Sequence, residues 1–236
     1  EASAPVVVTD ARGNVLRSFG RDLFTLPHSI RLDPAGNVWT VDSNTSMVYK
    51  FSPTGEKLLE INVGDVPNRD ERFCAAADIA ISPDGQVFVA DGYCNARVVV
   101  YDASTGRLVR EWGRAGTGPG EFDLVHSIAI SPEGHVYVAD RENGRLQWFT
   151  PEGEYLGEWR SGGRLLSVSF SGQGELYISA EPKGAEPMRE GIVLKIDRRD
   201  GTVAGKLDVF GHEIEASPDG AVLPATLTGR VVVYRP

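Results

Sequence analysis

Several things are scarce in this chain. Its 236 residues include only two cysteines, Cys74 and Cys94, which leaves chance thiols or a single disulfide of an exported protein. No apolar run approaches the roughly 20 residues of a membrane-spanning helix. Lys and Arg number 24 against 33 Asp and Glu, and the resulting net charge of −9 argues against a nucleic-acid partner, whose phosphates require a basic face. No stretch has a convincing helical period. Familiar catalytic motifs are missing too. There is no G-x-S-x-G, and the glycine-rich run GRAGTGPGEF (113–122) lacks the lysine followed by Ser or Thr that a phosphate-binding loop needs.

What is present is a repeat. The turns DPAG (33–36), SPDG (82–85), SPEG (131–134), SGQG (171–174) and SPDG (217–220) punctuate short alternating or β-branched runs such as NVWTVD, QVFVAD and HVYVAD. Proline at the first central turn position and glycine at its end favour each reversal. With 41% hydrophobic and 24% charged residues the balance is that of an ordinary globular protein, predicted to form one domain over 1–236. Such spacing predicts an all-β β-propeller with about four strands (A to D, inner to outer) per blade. C-type strands outnumber A- and B-type strands: the first unit lacks A and B, and the last lacks D. Six blades are expected, the first incomplete at the N-terminus and the last completed by an N-terminal strand; a five-bladed ring is the alternative.

Three of the four histidines occupy one phase of alternate repeats: His28 in LPHSIRLD, His126 in LVHSIAIS and His212 in FGHEIEAS. In a six-bladed ring they would converge on the axis from about 120° apart, and three imidazoles with an open fourth position make a catalytic zinc site. His135 follows an A–B turn and falls on the opposite face. Asp42, Asp91 and Asp140 recur at one phase and are expected to cap the B–C loops, and Arg97 and Arg145 recur likewise. Tyr93 and Arg141 do not recur, yet fall on the histidine face, which makes them the better functional candidates. Cys74, in a D–A connection, and Cys94, in a B–C loop of the same blade, lie in neighbouring loops, so a disulfide is geometrically plausible.

The stretches FCAAADIAISPDGQVFVADGYCNARVVVYD (73–102), VHSIAISPEGHVYVADRENGRLQWF (125–149) and LPHSIRLDPAGNVWTVD (26–42) resemble peptidyl-α-hydroxyglycine α-amidating lyases, which are six-bladed propellers of NHL-type repeats. That resemblance implies cleavage of the N–C bond of a C-terminal α-hydroxyglycine, giving a peptide amide and glyoxylate. It implies zinc at His28, His126 and His212, Tyr93 as general base, Arg141 on the substrate carboxylate and a Cys74–Cys94 disulfide. It further implies a structural calcium in the channel, with the Ile30 carbonyl and Glu213 among its ligands. The chain carries no copper-monooxygenase sequence, so a separate hydroxylating monooxygenase would act upstream. An extracellular or periplasmic location is expected, with EASAP as the start of a mature form after signal removal. Departures from the family pattern are Phe210 and Gly211 before the third histidine, Glu213 in place of an aspartate, and Tyr137 and Trp148 at the positions of a second disulfide. One substrate-binding arginine of the family belongs to N-terminal strands outside this sequence. The competing readings are a non-catalytic propeller that binds a protein or glycan, and a metal-dependent hydrolase such as a lactonase, whose carboxylate and amide ligands fit three histidines poorly.

Overall fold

The computed structural model describes residues 5–64, 75–226 and 232–235, and among these every regular element is a β-strand. A two-stranded sheet pairs β1 (Val6–Thr9) with β2 (Val15–Phe19). Four antiparallel four-stranded sheets follow. The first holds β3 (Pro27–Leu32), β4 (Val38–Asp42), β5 (Met47–Phe51) and β6 (Lys57–Asn62). The second holds β7 (Asp78–Ile81), β8 (Gln86–Asp91), β9 (Arg97–Asp102) and β10 (Leu108–Trp112). Two short strands, β11 (Arg114–Ala115) and β12 (Glu121–Phe122), then pair in parallel. The third sheet holds β13 (Val125–Ile130), β14 (Val136–Asp140), β15 (Arg145–Phe149) and β16 (Tyr155–Arg160). The fourth holds β17 (Gly163–Phe170), β18 (Leu176–Pro182), β19 (Ile192–Ile196) and β20 (Val203–Leu207). Finally β21 (Glu213–Ala216) pairs with β22 (Val222–Ala225), whose Val222 also bridges Tyr234.

This is a propeller. The first strands of successive sheets, β3, β7, β13, β17 and β21, abut one another and line a central channel. The apolar cores lie between the sheets: Trp39, Val41 and Val48 pack against Ile79, Val87 and Val89, and Phe88, Val98 and Val100 against Ile128, Val136 and Phe149. Inner strands such as β8 and β14 are buried on both faces, which explains their nearly continuous apolar, β-branched runs.

Among the described residues four blades have all four strands and the first and last units are two-stranded, in keeping with an expected ring whose end units are incomplete. β1 pairs with β2 as the C- and D-type strands of the first unit, and Val6 packs on Val38, Tyr49 and Phe51 of the next blade. A strand from the N-terminal region was expected to complete the last blade, but among the described residues none joins β21 or β22. An apolar cavity of about 590 Å³, lined by Val6, Val8, Ile30, Leu32, Ile214 and Leu223, lies between β1 and the strands β3 and β21.

The recurring turn glycines have one cause. Gly36, Gly85, Gly134, Gly174 and Gly220 all have positive φ, between 77° and 89°, a region that strains any residue with a Cβ. Each also closes its turn by donating N–H to the carbonyl three residues back, as Gly85 does to Ser82 at 3.0 Å. The aspartates at B-strand ends are structural, as their recurrence predicts. Asp42 accepts from the backbone of Thr25, Leu26 and Asn44, and Asp140 from Asp123 N–H, Asn143 and Arg145. Tyr137 and Trp148 are cross-strand partners with stacked rings 5.6 Å apart, so a stacked aromatic pair links the two strands at these positions.

Candidate metal centre and active site

The histidines stand at irregularities in the innermost strands. The β3–β4 register shifts between Pro27 and Ser29, and the β13–β14 register between Val125 and Ser127, so His28 and His126 are the extra residues of two equivalent bulges. A bulge turns its side chain out of the ladder, here toward the channel. His212 immediately precedes β21, its N–H donating to Ala225 O at 2.9 Å.

The three rings meet. Their centroids are 5.4 Å (His28–His126), 5.1 Å (His28–His212) and 4.8 Å (His126–His212) apart, nearly perpendicular in each case. Their donor atoms lie within 4.8 Å of one another. His28 Nδ1 donates to Ala77 O at 2.7 Å and His126 Nδ1 to Leu166 O at 2.6 Å, leaving both Nε2 lone pairs for the channel. Ala77 and Leu166 hold the histidine phase in the next blades, so each intervening repeat orients the imidazole before it. His212 Nδ1 is buried without a partner among the described residues. Burial lowers the pKa of His28, lowers that of His126 well below the usual histidine value, and takes His212 to about 4; the mutual proximity of the rings adds to it for His126 and His212. Neutral imidazoles are the metal-binding form. Two nitrogens sharing a tetrahedral zinc at ~2.0–2.1 Å sit roughly 3.3 Å apart. His28 Nε2 and His212 Nε2 are 3.1 Å apart, so this pair has the spacing the ion needs, with the third imidazole's donor within 4.8 Å.

Tyr93 reaches this centre from the β8–β9 loop. Its hydroxyl is 2.8 Å from His28 Nε2 and 3.1 Å from His126 Nε2. Gly92 before it lies so close to the neighbouring blade that a Cβ there would meet Val125 O at 2.0 Å. Burial pushes the Tyr93 phenol up to about 12, while the nearby Arg141 pulls it down. The Arg141 guanidinium sits 5.9 Å from the Tyr93 ring, its Nε donating to Glu142 at 2.8 Å. The three histidines singled out by repeat phase and the non-recurring Tyr93 and Arg141 thus cluster at one site. His135, excluded by phase, sits at the β13–β14 turn with its backbone N–H on Ser131 Oγ. Cys94 follows Tyr93 in the same loop, and Cys74 lies outside the described residues.

Sequence reading missed Arg164, which binds Glu142 and Glu181 at 2.8 Å each and lowers the pKa of both Tyr93 and His212 through its charge. It also missed a second polar layer. One residue past the histidine phase stand Ser29, Asp78, Ser127, Ser167 and Glu213, all buried. Their signal was legible: a polar residue at one position of every repeat, inside an otherwise apolar strand. Of the residues expected to hold calcium, the Ile30 carbonyl accepts from Arg31 Nη1 at 3.0 Å and Glu213 accepts from Arg31 Nη2 at 3.2 Å. Burial, reinforced by Asp78, raises the Glu213 carboxyl well above the usual range.

Residues 30–181 match the family described as SMP-30/Gluconolactonase/LRE-like region. The chain is 33% identical over 245 residues to the peptidyl-glycine alpha-amidating monooxygenase of Mus musculus, covering 94% of this chain and 24% of that protein. It is 32% identical to peptidyl-alpha-hydroxyglycine alpha-amidating lyase 1 of Drosophila melanogaster over 76% of this chain and 36% of that one. It therefore spans about a quarter of the mouse protein and about a third of the fly lyase. Among solved structures, virginiamycin B lyase from Staphylococcus aureus superimposes with a TM-score of 0.58 at 16% identity, over 89% of this chain and 70% of the other, a likeness of fold alone.

Proposed function

The chain belongs to the SMP-30/gluconolactonase/LRE-like family and groups there with the peptidyl-α-hydroxyglycine α-amidating lyases, and from that premise we propose that it cleaves C-terminal α-hydroxyglycine or related N-acyl carbinolamides into an amide and glyoxylate. One observation carries the reading: a tyrosine hydroxyl within 3.1 Å of two of three converging imidazoles, with an arginine against its ring. A binding surface alone has no use for that combination. The gluconolactonase part of the family description favours a hydrolase, but hydrolases of that kind use oxygen ligands, and three imidazoles are a zinc donor set.

His28, His126 and His212 would hold zinc, which supplies Lewis acidity that makes a bound hydroxyl far more acidic. Tyr93 accepts the proton of the carbinol hydroxyl. Burial alone favours the protonated phenol, so the phenolate depends on the cationic surroundings, Arg141 included. As the carbonyl of glyoxylate forms, the C–N bond breaks and Tyr93 returns the proton to the departing amide nitrogen. Arg141 exchanges Glu142 for the substrate carboxylate, which its planar fork can grip through both oxygens. Arg164, sharing Glu142, holds that carboxylate aside when Arg141 turns to substrate. A Cys74–Cys94 disulfide would pin the Tyr93 loop and suits an extracellular or periplasmic compartment. The hydroxylated substrate would come from a monooxygenase step.

The test is glyoxylate release from α-hydroxyhippurate by metal-analysed protein before and after chelation. Release that chelator abolishes and zinc restores is the expected result. No release from folded, zinc-loaded protein would overturn the lyase reading in favour of a binding propeller.

A further inference from the structure

Below the imidazoles the channel carries charges that the lyase chemistry does not use. Asp78 is wholly buried and accepts from Ser29 Oγ, from Ser127 Oγ at 2.7 Å and from Ile128 N–H at 3.1 Å. Ser167 Oγ donates to Glu213 at 3.0 Å and lies 3.3 Å from Ser127 Oγ. A hydrogen-bonded chain thus runs around the channel wall from β3 to β21, with a carboxylate in its second member and another at its end. Arg31 closes it: Nη2 is 2.7 Å from Asp78 Oδ2 and 3.2 Å from Glu213 Oε2, while Nη1 donates to Ile30 O at 3.0 Å.

The repeat makes this arginine conspicuous. Three residues past the histidine phase the other blades carry Ala80, Ala129, Ser169 and Glu215. Two of these counterparts are alanines, which leave the channel cross-section open for one long side chain. A single guanidinium nitrogen between two carboxylate oxygens stands where a calcium ion would sit, at ~2.3–2.6 Å from such oxygens. The carbonyl that would be a third ligand is taken by the same guanidinium. Asp78 Oδ2, Glu213 Oε2 and the Ile30 carbonyl are therefore all engaged by this one side chain, which leaves Glu213 Oε1 as the one carboxylate oxygen buried without a partner among the described residues, and the residues present do not fit a calcium ion beside the guanidinium. Consistently, His28, His126 and His212 are the one group of His, Cys, Asp or Glu residues that brings donor atoms together among the described residues.

We propose that the Arg31 guanidinium is the resident cation of this channel, in place of a structural calcium, and that this protein takes no divalent ion there. The ion is replaced by a covalently attached charge, so the inner strands β3, β7 and β21 are tied together at any calcium concentration. Removing the guanidinium would leave Asp78 and Glu213 facing each other uncompensated, with Ile30 O and the serine hydroxyls free to complete an oxygen cage.

The test is metal analysis and thermal unfolding of the zinc-loaded protein after equilibration with about 1 mM calcium, for wild type, Arg31→Ser and Arg31→Lys. Wild type and Arg31→Lys should retain less than about a tenth of an equivalent of calcium and melt at the same temperature with and without it. Arg31→Ser should retain about one equivalent and gain roughly 5–10 °C on calcium addition, the shift expected when a ligand is present at about 100 times its Kd. Stoichiometric calcium in the wild type would overturn the proposal, and so would a folded Arg31→Ser protein indifferent to calcium. If Arg31→Ser does not fold, the wild-type and Arg31→Lys measurements decide. None of these readouts depends on turnover, so failure here and failure of the lyase reading are separate results.

Discussion

At the scale of single residues, the candidate site rests on a division of labour between atoms of the same ring. Nδ1 of His28 and His126 is spent on a backbone carbonyl, so Nε2 is the atom left for a metal. Removing His126, which is fully buried, takes away one of three ligands. His126→Ala should therefore purify folded but with zinc occupancy well below one equivalent; full occupancy would remove it from the ligand set. Tyr93→Phe keeps the ring and its packing while deleting the proton carrier. It should retain zinc and lose roughly 10²–10⁴-fold in kcat, the range usual for a general acid–base group. Near-normal turnover with bound zinc would exclude Tyr93 as the base. The histidine triad was legible because its members recur at one phase, and Tyr93 and Arg141 because they do not. Arg31 and Asp78 escaped notice for a physical reason: a charge in a strand reads as solvent-facing until the channel that buries it is known.

At the scale of elements, strands and turns were plain in the pattern, but the bulges were not. An extra residue at the start of β3 or β13 leaves the alternation intact on either side, so nothing in the letters marks it. Yet the bulge aims the imidazole. The loop carrying Tyr93 is likewise positioned by something a motif does not state, the near-contact of Gly92 with the β13 backbone. A methyl group there would overlap Val125 O and N, which are backbone atoms with no rotamer to yield. Gly92→Ala should lower stability by about 1–3 kcal/mol, as overpacking generally does. It should also raise KM or lower kcat by moving Tyr93, with zinc content unchanged. A variant that melts with wild type and turns over normally would mean that the loop is not held by this contact.

At the scale of the whole molecule, the propeller class and its two incomplete end units were legible and the closure of the ring was not. Repeats report how many units the chain contains, whereas closure depends on which strand joins the last unit, and among the described residues only Tyr234 bridges Val222 of β22. Because the molecule is a ring of turns, its turn carboxylates act together in acid. Hydrogen bonds hold Asp10 (from Asn14), Asp102 (Ser104), Glu121 (Gly118 N–H), Glu133 and Asp197 (Arg198 and Arg199) and Asp219 (Ser217) below the usual carboxylate range, Glu133 and Asp197 at about 2. Asp91 and Asp140 go the other way, raised by burial. Below about pH 4 those two are protonated both in the fold and in the unfolded chain, so they drop out of the balance. The depressed groups remain: the unfolded chain takes up protons that the native turns refuse. Stability supplied by these groups is complete above about pH 5 and is lost as pH falls toward about 2. Thermal melts of the metal-free protein at pH 5, 4, 3 and 2 should show the midpoint falling, most steeply below 4. Metal-free protein is the right sample because loss of a histidine-bound ion would lower the midpoint at higher pH for a different reason. A midpoint that holds or rises below pH 4 would mean that the turns contribute nothing through their charges.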